Sequence, residues 1–87
     1  MPLDYELIYT PDALQMMDSR MILKSDVEAV IHAMRESGQA IEDSESGYLM
    51  ACHRSGNVTF WVALTETDAG YVVHRAYSHR MNVVKRN

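Results

Sequence analysis

The spacing of apolar side chains changes character once along this chain, and the change dictates which folds are open to it. Up to Met34 the apolar residues recur at helical intervals, whereas from Tyr48 onward they alternate as in strands. The clearest helical segment carries Val27, Val30, Ile31 and Met34 at i, i+3, i+4 and i+7. Ser25 as N-cap with Glu28 three residues later makes a capping box, Asp26 suits the positive helix end, and Gly38 is a left-handed stop. A helix is therefore expected from Asp26 to about Ser37. Ahead of it, Thr10-Pro11 pairs a capping hydroxyl with proline at the first helical position. That predicts a helix from Pro11 to about Arg20, with Leu14, Met17 and Met21 as its buried stripe of methionine-rich packing. Asp4 to Tyr9, rich in β-branched and aromatic residues, reads as a strand running into it.

The second half reads as a meander. Tyr48 to His53 is a strand, Arg54-Ser55-Gly56-Asn57 supplies turn residues, and Val58 to Leu64 returns as a second strand. Thr67-Asp68-Ala69-Gly70 turns the chain into a third, from Tyr71 to about Ser78 and onward toward Val84. The acidic stretch Glu42 to Gly47 is a loop or the approach to a strand. A strand, two helices and a three-stranded antiparallel meander make a two-layer α+β fold, with both helices on one face of the sheet. The 87 residues suffice for one domain spanning 1–87. A chain this short buries about 60–65% of its unfolded surface and gains about 4–13 kcal/mol on folding.

Charge and cysteine content narrow the function classes. Residues 1–47 carry ten acids and three bases, whereas residues 48–87 carry two acids and five bases, so a −7 half precedes a +3 half. A net charge of −4 makes the chain a poor general binder of nucleic acid, since Lys and Arg on phosphate supply most of that affinity. The basic residues Arg75, His79, Arg80, Lys85 and Arg86 follow Asp68 without another acid, and read as a solvated tail. No apolar run nears the ~20 residues of a membrane helix. The first residues lack a secretory pattern, so a cytoplasmic location is expected. One cysteine, Cys52, excludes an internal disulfide framework.

No glycine-rich phosphate loop, paired-carboxylate motif or nucleotide fingerprint is present. Cys52, His53, His74 and His79 are the available soft metal ligands, but Cys52 and His53 are strand neighbours facing opposite ways, and metal-binding spacings are missing. No metal and no cofactor is expected, with Cys52, His74 and His79 as the weak candidates. Cys52 beside Met50 and Ala51 reads as a small core residue rather than a nucleophile. His32, four residues from both Glu28 and Glu36, fits a solvated ion pair. The best enzyme hypothesis is RNA cleavage, with His79 as acid or base, Arg54, Arg75 and Arg80 on phosphate, and Tyr77 assisting.

Alternation places Val58, Phe60, Val62 and Leu64 toward the helices and Trp61 away from them. In the last strand it groups Tyr71, Val73, Arg75, Tyr77 and His79 on one face, and Val72, His74, Ala76, Ser78 and Arg80 on the other. With Ala76 and Val72 under the helices, Trp61, Arg75, Tyr77 and His79 gather on the open face. Aromatics with arginine on an uncovered face suit a protein interface, including that of a homodimer.

The order of elements resembles the RelE/ParE toxin superfamily of bacterial ribonucleases and gyrase inhibitors, which implies a RelE-like two-layer domain. Toxins of that kind are usually strongly basic, whereas Arg54, Arg75, His79 and Arg80 are the residues available here. A second resemblance rests on particular stretches. These are Tyr9-Thr10-Pro11 with Ala13-Leu14 and Met16-Met17, Asp26-Val27 with Val30-Ile31, and above all Gly56-Asn57-Val58-Thr59-Phe60-Trp61-Val62 and Ala76-Tyr77-Ser78-His79-Arg80-Met81. They are similar to small proteins of anaerobic bacteria that accompany, or are fused to, flavin and iron–sulfur NAD(P)H oxidoreductases like the glutamate synthase small subunit. The resemblance implies a non-catalytic accessory subunit whose partner carries the electron-transfer cofactors. One cysteine cannot itself ligate an ordinary four-thiolate cluster.

Overall fold

A computed structural model describes residues 4–80; the expected continuation of the last strand toward Val84 and the basic residues Lys85 and Arg86 lie outside that range. Local chemistry at Thr10 organises the first half. Strand β1 (Glu6–Tyr9) ends there, and the Thr10 side chain accepts the Ala13 N–H at 3.1 Å to start helix α1 (Pro11–Ser19). The same residue donates its N–H to the Val73 carbonyl at 3.1 Å, so the strand-to-helix junction is tied to the last strand.

Of the expected stripe α1 buries Met17 alone; Ala13 is buried beside it, followed by Ile22 in the connection. Leu14 is 43% exposed and Met21 87% exposed, Met21 with φ +57° beyond the helix end. The cap fixes the helix azimuth so that Ala13 faces the sheet, and nine residues are too few for position 21 to share that face.

Helix α2 (Lys24–Ser37) begins earlier than the Ser25 capping box predicts. Leu23 is the N-cap and its side chain accepts nothing; instead the Asp26 carboxylate accepts the Leu23 N–H at 2.9 Å. Ser25 therefore sits in the first turn. The stripe Val27, Val30, Ile31 and Met34 is buried as read, and Gly38 at φ +70° ends the helix. His32 Nε2 meets Glu36 at 3.1 Å on the exposed side.

The sheet has five strands in the order β1-β5-β4-β3-β2, adding β2 (Ile41–Glu42), β3 (Leu49–Ser55), β4 (Val58–Glu66) and β5 (Gly70–Arg80). It is mixed rather than antiparallel throughout, because β1 runs parallel to β5 in the register Glu6↔Gly70 to Tyr9↔Val73. Gly70 is what lets β1 approach: a Cβ there would fall on the Glu6 backbone. The β3–β4 hairpin is tighter than expected. Arg54 and Ser55 remain in the strand, and Gly56-Asn57 alone makes the connection, with Gly56 at φ +63°.

One apolar core lies between the helices and a single sheet face, built on Val27, Val30, Ile31, Val62, Leu64 and Val73, with Leu7, Tyr9, Leu49, Phe60 and Tyr71 packed around it. α1 lies against β5 and α2 against β3 and β4. The opposite face carries no helix among the described residues. Among those residues too, no helix is long and apolar enough to cross a membrane.

Candidate functional site

The uncovered face is built around an irregularity that the sequence pattern conceals. β5 pairs with β4 as Ala63↔Arg75 and then Leu64↔Val73, so His74 is an extra residue in a β-bulge. A bulge inverts the alternation on one side of it relative to the other. Tyr71 and Val73 therefore face the core together with Ala76, whereas Val72 and His74 lie on the open side with Tyr77 and His79. The expected grouping of Val73 with Arg75 and of His74 with Ala76 is corrected by this single residue.

Across the open face the register lays down successive rows. Arg54 and His79 flank Thr59 at one end, followed by Cys52 and Tyr77 flanking Trp61, then Met50 and Arg75 flanking Ala63. Trp61 and Tyr77 are stacked, with centroids 6.4 Å apart and planes 11° from parallel. At the next level, Tyr48 reaches across β4 to stack on His74 at 4.3 Å and 5°, and His74 Nε2 shares a 2.9 Å hydrogen bond with the Thr65 hydroxyl. Which partner donates depends on the imidazole tautomer. Trp61, Tyr77 and His79 thus share the face as read from the sequence. Arg75 stands at its border, because it also lines a cleft of about 370 Å³ against Asp12, Gln15, Met16 and Ser19 of α1.

Tyr48 and Thr65 belong to this surface and were not singled out by sequence reasoning. Their link to His74 depends on the bulge and on a side chain spanning two strands, and neither leaves a periodic signature. The loop before Tyr48 is held by Asp43, whose carboxylate accepts the Glu45 N–H at 3.1 Å and the Ser46 hydroxyl at 2.9 Å. These bonds, the Glu45 amide foremost, hold the Asp43 carboxyl below the usual carboxylate range, and Arg75 adds a smaller pull in the same direction.

The weak metal candidates are held apart. Cys52 lies on β3, two strands or about 10 Å from β5, and His74 and His79 are five residues apart along β5, about 16 Å if fully extended. Among the described residues no three His, Cys, Asp or Glu side chains gather as a metal set. Cys52 is exposed on the sheet, not a core residue as expected, because Ala51 rather than Cys52 faces the helices. Nor do the basic residues form one cluster: the Arg54 Nε donates to the Gly56 carbonyl at 2.9 Å, and Arg80 pairs with Val58, whose alternation turns it to the helix side. A polar cleft of about 560 Å³ is lined by Tyr5, Arg35, Glu66 and Tyr71, among others. There the Arg35 guanidinium lies 4.2 Å over the Tyr5 ring and 3.8 Å from Asp4.

Chemically, the open face offers aromatic area with polar edges. It lacks a set of convergent acids, bases or ligands among the described residues. No family model matches this chain, and neither does any curated protein or any solved structure.

Proposed function

We propose that this chain is a non-catalytic accessory subunit that binds a protein partner through the open face of its sheet. The observation carrying this reading is the stacked Trp61–Tyr77 pair at the middle of a face that no helix covers among the described residues. Tryptophan and tyrosine are the side chains that most often dominate binding energy, since they bury large area at little entropic cost. The resemblance of the Gly56–Val62 and Ala76–Met81 stretches supplies the partner class, a flavin or iron–sulfur NAD(P)H oxidoreductase. In such a complex the partner holds the cofactors and this chain contributes surface. Trp61→Ala and Tyr77→Ala should each weaken binding by about 2 kcal/mol, roughly thirtyfold in Kd. Both side chains point away from the core, so the circular dichroism of the variants should match the parent. Unchanged affinity in the double variant would remove the reading.

A toxin-type ribonuclease, or an inactive descendant of RelE-like architecture, is the second reading. It is favoured by the row Arg54, Thr59 and His79, which puts a guanidinium and an imidazole on either side of one strand. It requires that purified protein cleave RNA and that His79→Ala abolish the cleavage.

A further inference from the structure

The outer edge of β3 is paired only at its start. β2 covers Leu49 and Met50, and among the described residues no backbone group bonds to the outward side of the segment from Ala51 to Ser55. Because Gly56-Asn57 is a two-residue connection, Ser55 and Val58 form the bonded pair that closes it, and bonded pairs recur at every second residue. His53 and Ala51 thus turn their N–H and C=O toward β4, whereas Cys52 and Arg54 turn theirs outward. A charged side chain often guards such an edge. Here Arg54 bends toward the turn instead, its Nε bonded to the Gly56 carbonyl.

Beside this edge runs a groove of about 560 Å³ between the C-terminal end of α2 and β3. Ala33, Ser37, Ala40, Ile41, Ala51 and Cys52 are among its borders, and every residue lining it is uncharged. Unpaired strand groups call for an extended backbone, and an uncharged groove next to them calls for apolar side chains at alternate positions.

We propose that the β3 edge and this groove bind an extended, uncharged segment of a partner protein by strand addition. The segment's backbone pairs with Cys52 and Arg54, and every second side chain enters the groove. A second copy of this chain fits poorly, since its own β3 would offer Ala51, His53 and Ser55, too small or too polar to fill the space. A helical ligand fits poorly too, because its backbone bonds are internal and leave the edge unpaired. The site adjoins the open-face surface, since Met50, Cys52 and Trp61 border the groove as well, and the Arg54 backbone separates the two readings because a partner seated on the open face alone does not need the β3 edge.

The test uses random heptapeptides displayed on phage, selected against the full chain, followed by amide exchange and affinity measurements with the selected peptides. Alternating apolar residues without charge are expected, with exchange slowed at Cys52 and Arg54. Arg54→Pro removes an outward N–H that no ladder bond uses, so the fold is kept and affinity should fall roughly tenfold. Ala33→Arg, which puts a charge on the groove wall, should weaken binding as well, while Arg54→Ala, which keeps the outward N–H, leaves it unchanged. The proposal is overturned if no peptide is selected, if the selected peptides are charged or helically patterned, or if binding ignores both Arg54→Pro and Ala33→Arg. Concentration-dependent protection of Cys52 without peptide would also overturn it, in favour of self-association.

Discussion

Substituting alanine at Gly70 should uncouple the first strand from the last. Gly70 sits opposite Glu6 in the parallel β1–β5 register, where an added Cβ would overlap the Glu6 carbonyl and crowd its amide nitrogen and carbonyl carbon. The obstacle is backbone rather than the end of a flexible side chain, so relief requires β1 to move. Overpacking of this kind costs about 1–3 kcal/mol, against a total stability of about 4–13 kcal/mol for a chain of this length. Displacing β1 also strains the Glu6 N–H bond to the Ala69 carbonyl and the Thr10 N–H bond to the Val73 carbonyl, which hold both ends of the strand. Urea unfolding of Gly70→Ala should show a lower midpoint at similar m, and Tm should fall by about 4–8 °C per kcal/mol lost. Native-state exchange should show the amides of residues 6–10 losing protection before those of β3 and β4. Gly56→Ala is the contrast: nothing crowds a Cβ there, but φ of +63° must be kept, so the loss should be local to the hairpin. Gly70→Ala with unaltered stability and fully protected β1 amides would refute the reasoning.

Ile31 is fully buried at the centre of α2, so Ile31→Ala should cost about 2–5 kcal/mol and leave the protein near its unfolding threshold, as read by urea titration. Asp26→Ala should cost about 1 kcal/mol through the lost bond to the Leu23 N–H, whereas Ser25→Ala should stay within about 0.5 kcal/mol. The reverse order would move the cap back to Ser25. Burial first, and then the Glu28 carboxylate, push the Tyr9 phenol up from 10.0 to about 12. The folded state therefore holds this proton more tightly than the unfolded chain, and the associated stability is complete below pH 10 and lost as pH rises toward about 12. Stability measured through that window should fall less steeply in Tyr9→Phe than in the parent protein.

Local rules were legible where one short-range interaction decides the outcome. Thr10-Pro11, Gly38 and Gly56-Asn57 each act through a cap, a left-handed stop or a turn, and the α2 stripe follows from period alone. Long-range pairing was not. Nothing in residues 6–9 says that they run parallel to the last strand, and the glycine permitting it at position 70 looks like an ordinary turn residue. The capping box read at Ser25 and Glu28 gives way to a single bond two residues earlier, from the Leu23 N–H to the Asp26 carboxylate, and the burial of Ile22 just before α2 accompanies the earlier start. At the candidate site, Trp61 opposite Tyr77 followed from simple alternation, although the alternation is broken three residues away. The bulge at His74 reversed Val73 and His74 without disturbing Tyr77 and His79, because those two lie beyond it. Thr65 already shares the Trp61 face by alternation, and the bulge is what brings His74 to it and to Tyr48.

The central claim is that the Trp61–Tyr77 face holds an oxidoreductase partner. It is tested most directly by capturing the tagged protein and its Trp61→Ala/Tyr77→Ala variant side by side from a lysate of its own source cells, prepared without oxygen, with mass spectrometry of what co-purifies. The account predicts a flavin or iron–sulfur NAD(P)H oxidoreductase with the parent protein and its loss from the folded double variant. Equal recovery with both proteins, or ribosomes and a small antitoxin-like protein in its place, would contradict it.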